Sequence, residues 1–131
     1  MPNIMMINIS ENCIKNVCDI SYLSEIVGGE KDLIRGIMDA FLNQVSEDLP
    51  SINNAILKTD YITINQIAHS MKSSASIMGI TAIRPILEEM ESLGASATNI
   101  DGIKELNQKL NSIYKQAIEE LEKEKLNYIK H

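Results

Sequence analysis

A chain of 131 residues with 44% hydrophobic content has apolar surface for one core and one domain, and is too short for two. The absence of Trp, an aromatic share of 4% and only three prolines disfavour a sandwich of short strands, while the abundance of Ile, Leu, Met, Glu, Lys and Asn favours helices. A formal charge of −6 with no long Lys/Arg cluster repels phosphodiester backbones and anionic lipid, which argues against nucleic-acid or membrane-surface binding.

Residues 1–18 carry no clear hydrophobic period and read as a loosely attached N-terminal arm, with the organised bundle over 19–131. The arm has no basic region, sustained apolar stretch or small-residue cleavage site, and nowhere do about 18 apolar residues run together, so a cytoplasmic location is expected. Cys13 and Cys18 have neither CxxC spacing nor a histidine cluster to complete a metal site.

Asp19 can cap a short helix holding Tyr22, Leu23, Ile26 and Val27, which Gly28 and Gly29 stop by supplying left-handed backbone. The following Gly28-Gly29-Glu30-Lys31 is not a phosphate loop, because the GxxxxGK[ST] spacing and a preceding strand are both missing. From Glu30, Ile34, Ile37, Phe41, Val45, Leu49, Ile52 and Ile56 form one stripe along a long helix. Pro50 removes an amide donor and crowds the preceding turn, which predicts a kink or short break there.

Thr59 or Asp60 can cap the next helix, whose inward stripe is Ile64, Ile67, Met71, Ala75 and Met78 and whose stop is Gly79. Thr81 can cap another, with Pro85 in its tolerant first turn, Ile83, Ile86 or Leu87, Met90 and Leu93 inward, and Gly94 as stop. After a polar loop, Ile103, Leu106, Leu110, Ile113, Ala117 and Leu121 define the last stripe, beyond which the charged tail EKEKLNYIKH is expected to fray, with His131 a solvated terminal residue. Four long stripes joined by short turns predict an all-α fold: an antiparallel up-down four-helix bundle with a short extra N-terminal helix across one end.

Within "AHSMKSSASIMGI" the helical period sets His69 roughly 160° from the middle of the apolar stripe, facing outward. Its neighbours one turn away are Asn65, Gln66, Lys72 and Ser73, none a large apolar group that would cover the ring. An exposed imidazole is mostly neutral at cell pH and offers one unprotonated nitrogen as nucleophile without a separate base. By itself such a histidine is usually a solvated residue, and Lys72 by itself a surface lysine.

The combination is more specific. His69-Ser-Met-Lys72-Ser73-Ser74-Ala-Ser76-Ile-Met-Gly79 resembles the motif of the histidine-containing phosphotransfer (HPt) domain of bacterial phosphorelays: His-x-x-Lys-small-small with a Gly ten residues after the His. "DISYLSEIVGGEKDLIRGIMDAFLNQ" is similar to the family's first helix, Gly-rich turn and long helix with a conspicuous Phe, here Phe41; "GITAIRPILEEMESLG" is similar to its next helix. The resemblance covers about residues 19–121. It implies that His69 is phosphorylated, that Lys72 contacts the phosphoryl group, and that Glu91 stands where the family often has a Gln or other polar residue bonding the imidazole. Ser73 replaces the more frequent glycine, which narrows access to the ring without blocking it and adds a hydroxyl able to donate to a phosphoryl oxygen.

The resemblance further implies a carrier without turnover, nucleotide or cofactor of its own, which takes a phosphoryl group from a receiver-domain aspartate and passes it to another. The expected partners are response-regulator receiver domains, which bring Mg²⁺, and a hybrid sensor histidine kinase; the carrier is expected to be a monomer. Tyr22, Leu23 and Ile26, with Ser70, Ser73, Ser76 and Gly79, can form a docking rim, although the three apolar residues can equally seal the bundle end. A di-iron bundle is disfavoured because Gln66 stands where a Glu-x-x-His pair needs Glu and no second internal His exists. A helical adaptor that binds receivers without phosphotransfer is the alternative reading; no paired acid/base, reactive cysteine or cofactor loop supports an enzyme with its own turnover.

Overall fold

The computed structural model describes residues 17–128. Helix α1 spans Ser21–Ile26, α2 Lys31–Leu57, α3 Tyr61–Ile77, α4 Arg84–Ser96 and α5 Ile100–Lys125, with 3₁₀ turns at Thr81–Ile83 and Leu126–Tyr128. Residues 58–60 and 97–99 are the whole of two connections, and turns this short make successive helices antiparallel neighbours. α2 packs on α3 and α5, and α4 on the same two, giving an up-down four-helix bundle with α1 at the end where α2 begins and α5 finishes.

Each helix buries one stripe. Ile34, Met38, Phe41, Val45, Ile52 and Ile56 of α2 meet Ile64, Ala68, Met71 and Ala75 of α3, Leu87 and Met90 of α4, and Ile103, Leu110, Tyr114, Ala117 and Leu121 of α5. The sequence stripe for α5 used Ile113 where the core uses its neighbour Tyr114, whose ring stacks on Phe41 with centroids 6.3 Å apart. In α3 the fully buried position is likewise Ala68 rather than Ile67.

The helix ends follow local chemistry. Asp60 caps α3 by accepting the Thr63 amide (3.2 Å) and hydroxyl (2.7 Å), satisfying donors that a first helical turn leaves without partners. Asp19 accepts the Ser21 amide (3.0 Å) at the start of α1, which ends at Gly28 and Gly29, both with positive φ. Gly79 also has positive φ, and a Cβ there would collide with the Asp19 carbonyl; the Asp19 amide donates to the Met78 carbonyl at 3.1 Å. The chain before α1 is thereby laid against the end of α3.

Four expectations need correction. The short break at Pro50 does not occur: α2 runs as one helix through it. Proline costs a helix interior about 3 kcal/mol, whereas each large apolar side chain buried on either side returns about 1.5–3 kcal/mol; with Val45 before it and Ile52, Ala55 and Ile56 after it in the core, continuity wins. Gly94 does not stop α4, which continues to Ser96 and ends on Ala97 in left-handed backbone. The tail does not fray after Leu121: α5 continues to Lys125, whose ammonium pairs with Asp39 of α2 at 2.7 Å. The end of the N-terminal arm is tied down, since the Glu120 carboxylate accepts the amides of Val17 (2.8 Å) and Cys18 (2.9 Å). The rest of the arm, with Cys13, and residues 129–131, with His131, lie outside the described residues.

Candidate functional site

The site is built on the seam between α3 and α4. Gly94 makes the seam tight: a Cβ on it would stand 3.0 Å from the backbone nitrogen of Asn65 and the carbonyl oxygen of Tyr61, so a methyl there would have to push the two helices apart by a few tenths of an ångström. One turn away, the Asn65 side-chain amide donates to the Glu91 carbonyl at 2.8 Å and sets the axial register of the two helices. That register puts the Glu91 carboxylate opposite His69 and Lys72.

Glu91 meets both. His69 Nδ1 lies 2.6 Å from Glu91 Oε2, and Lys72 Nζ lies 2.6 Å from Oε1. Because an ionised carboxylate only accepts, Nδ1 is the ring nitrogen that bears hydrogen, and the neutral imidazole keeps its lone pair on Nε2. The carboxyl is held below the usual carboxylate range, first by the hydrogen bond from Lys72 and then by that from His69, while partial burial opposes them. The His69 side chain is 70% exposed, against 20% for Lys72 and 22% for Glu91. A reactive-type nitrogen thus stands in solvent above a semi-buried ion pair.

The structure therefore groups His69, Lys72 and Glu91, with Ser70, Ser73 and Ser76 exposed along the same helix. Tyr22 and Ile26 are exposed on α1, but Leu23 is 1% exposed and belongs to the core. It cannot line a docking rim, because a six-residue helix must bury one face to be held at all, and Leu23 is that face. Gly79 is packed under the Asp19 backbone, so its role is to admit that segment.

Sequence reasoning named Asn65 only as a small neighbour of the ring and did not single out Arg84. Arg84 Nη1 donates to Ser76 Oγ at 3.0 Å, and its Nε donates to Glu88 Oε2 at 3.1 Å, bridging the helices farther along the seam. The signal was present: Asn65 lies four residues before His69, and Arg84 seven before Glu91, so both fall on the seam-facing rows. Among the described residues no group of three or more His, Cys, Asp or Glu side chains is placed to hold a metal ion, and no helix is long and apolar enough to cross a membrane.

Comparison with curated proteins and with solved structures gave no match. The family model described as Hpt domain matches residues 36–124, from the first turns of α2 nearly to the end of α5, and spans all three grouped residues. Hpt domains are phosphotransfer carriers of phosphorelay signalling and generally interact with receiver domains. A match over more than half of the 131 residues, on a four-helix bundle with a short helix at one end, establishes that the chain belongs to the Hpt domain family.

Proposed function

We propose that His69 is the phosphoacceptor of a phosphorelay carrier, taking its phosphoryl group from the aspartyl phosphate of one receiver domain and giving it to the aspartate of another. The observation that carries this reading is the Glu91 carboxylate shared between His69 Nδ1 and Lys72 Nζ beneath an exposed ring. Nε2 attacks the phosphorus in line, an N–P bond forms, the P–O bond to the aspartyl carboxyl breaks, and the free carboxylate leaves. No proton has to move. The ring already carries its hydrogen on Nδ1, so it becomes a phosphoimidazolium whose positive charge faces Glu91. Return transfer to a second aspartate reverses each bond change.

Phosphoryl transfer passes through a loose transition state in which positioning and charge neutralisation do most of the work. Lys72 supplies one positive charge beside the ring, and the receiver's acidic pocket supplies Mg²⁺. Ser73 and Ser70 are small enough to let that pocket close over Nε2, and Tyr22 and Ile26 on α1 offer apolar contact to the docking partner. The upstream donor in this scheme is a hybrid sensor histidine kinase acting through its receiver domain, and the carrier acts as a monomer.

His69→Gln tests the assignment. Incubated with a purified receiver domain charged by acetyl phosphate, the parent chain is expected to acquire acid-labile label and the variant none, with the same circular-dichroism spectrum. Undiminished label on the variant would overturn the assignment.

A further inference from the structure

The inference deepens the phosphorelay reading and rests on it. In a chain with 18 acidic residues, α3 is the one helix among those described that contains no Asp or Glu. The only cation of α3 is Lys72 and the only cation of α4 is Arg84. Both bond across the α3–α4 seam. An aspartyl-phosphate pocket is itself acidic and is repelled by a partner of net charge −6, so its approach depends on local positive charge. Lys72 is engaged by Glu91 and committed to the phosphoryl group; Arg84 is the remaining cation of the seam.

Arg84 is held rather than free. Ser76 Oγ takes Nη1 and Glu88 takes Nε, so the guanidinium plane is fixed between two helices while the side chain stays 53% exposed. Among the described residues Nη2 has no partner. Ser76 lies seven residues after His69, two helical turns, which sets the guanidinium about 10 Å along the seam from the ring, toward the α1 end. That is too far for a phosphoryl group on Nε2, and is the spacing of a neighbouring side chain on a docked surface. An exposed i,i+4 pair by itself adds little to stability, which gives little structural reason for a doubly anchored arginine.

We propose that Arg84 is a specificity-determining docking contact: its unpaired guanidinium edge takes a carboxylate on the rim of the receiver domain, about 10 Å from the transferring phosphoryl group. Receivers with an acidic residue at that spacing are favoured, and receivers with Lys or Arg there are rejected by like charge.

The experiment compares two donors on the full chain: phosphoramidate, which is too small to reach Arg84 from His69, and a purified receiver domain charged by acetyl phosphate. Arg84→Gln is expected to slow receiver-dependent labelling about five- to tenfold at low salt, since rim charges act mainly on association rate. Arg84→Glu is expected to slow it further. The difference is expected to shrink near 0.5 M salt, where the screening length is roughly 4 Å, while the phosphoramidate rate stays within about twofold of the parent, a distinction that a merely structural bridge would not produce. Ser76→Ala, which frees one anchor, is expected to lower the receiver rate by about two- to threefold. A parental receiver rate in Arg84→Gln at low salt overturns the proposal, and so does equal slowing with both donors, which places the effect in the bundle. Failure of both donors on the parent chain strikes the phosphoacceptor reading itself and this proposal with it.

Discussion

Glu91 places one oxygen on a ring nitrogen and the other on an ammonium, so its single charge is shared between the two groups that the proposed transfer changes most. In the resting site Lys72 is the stronger partner, in keeping with its larger part in holding the carboxyl ionised. In the proposed phosphorylated state the phosphoryl oxygens compete for Lys72 and the ring is a cation, so Glu91 would turn from ammonium to imidazolium. A neutral amide would keep the Nδ1 hydrogen bond and lose the charge. A charge-assisted hydrogen bond exceeds a neutral one by about 1 kcal/mol, so Glu91→Gln is expected to shorten the half-life of phosphohistidine about fivefold, measured as loss of label after the donor is removed. An unchanged or longer half-life would mean that the carboxylate only positions the ring. The helical period put His69 on an exposed face one turn from Lys72, but the roles of both, like that of Glu91, came only through resemblance. The pairing of Glu91 with Lys72 was not legible, because it depends on how deeply α4 seats against α3, and that depth is set by Gly94 against the backbone of Tyr61 and Asn65.

The same difficulty recurs at the scale of whole elements. Helix number, order and facing were readable from the three-four spacing of apolar residues, because each stripe must find another to bury against. Helix ends were read less well wherever a tertiary contact outweighed a local signal. Gly94 looked like a stop and is an approach point; the charged tail looked loose and is fastened by Lys125 to Asp39; Leu23 was open to either docking or sealing the bundle end, and its burial decides for the second. Pro50 is the clearest case, since its local cost is real but smaller than the core contacts flanking it. That cost is still borne by the native state: the amide missing at Pro50 leaves the Ser46 carbonyl without its ordinary helical donor. Pro50→Ala, at an exposed position with no core contact to lose, is therefore expected to raise stability by about 1–3 kcal/mol, seen as a higher urea midpoint at unchanged slope. A lower midpoint would mean that α2 is bent to fit the proline and that the bend seats Ile52 and Ile56.

For the molecule as a whole, two electrostatic effects oppose each other as pH changes. The net charge of −6 is spread over the surface, so protonating carboxylates relieves self-repulsion down to the isoelectric point near 4.9, below which the net charge turns positive and repulsion grows again. Specific contacts work against that relief. Glu91 is held low by Lys72 and His69, Asp60 by the Thr63 hydroxyl and amide, and Asp19 by Ser21. A carboxyl whose folded value lies below its unfolded value contributes stability above the ordinary carboxylate range and loses it as pH falls through the lowered value. At the alkaline side the signs reverse: Lys125 is raised by Asp39, and the Cys18 thiol is pushed up to about 12 by burial, with Glu120 adding. Those contributions are complete below the ordinary lysine and thiol values and disappear as pH rises through the raised ones. Between the two limits the urea midpoint is expected to be nearly flat. Which effect governs the acid limb is decided by distance, because contacts between 2.6 and 3.2 Å are scarcely screened whereas repulsion across the surface is cut by salt, with a screening length of about 8 Å at 0.15 M. Below the isoelectric point positive repulsion adds to the loss of these contacts, so added salt is expected to make the loss of stability below roughly pH 4 shallower without abolishing it. Glu91→Gln, which has no proton to take up, should show a shallower acid limb than the parent at the same salt; parallel limbs would mean that the site's ion pair contributes nothing to the fold that carries it.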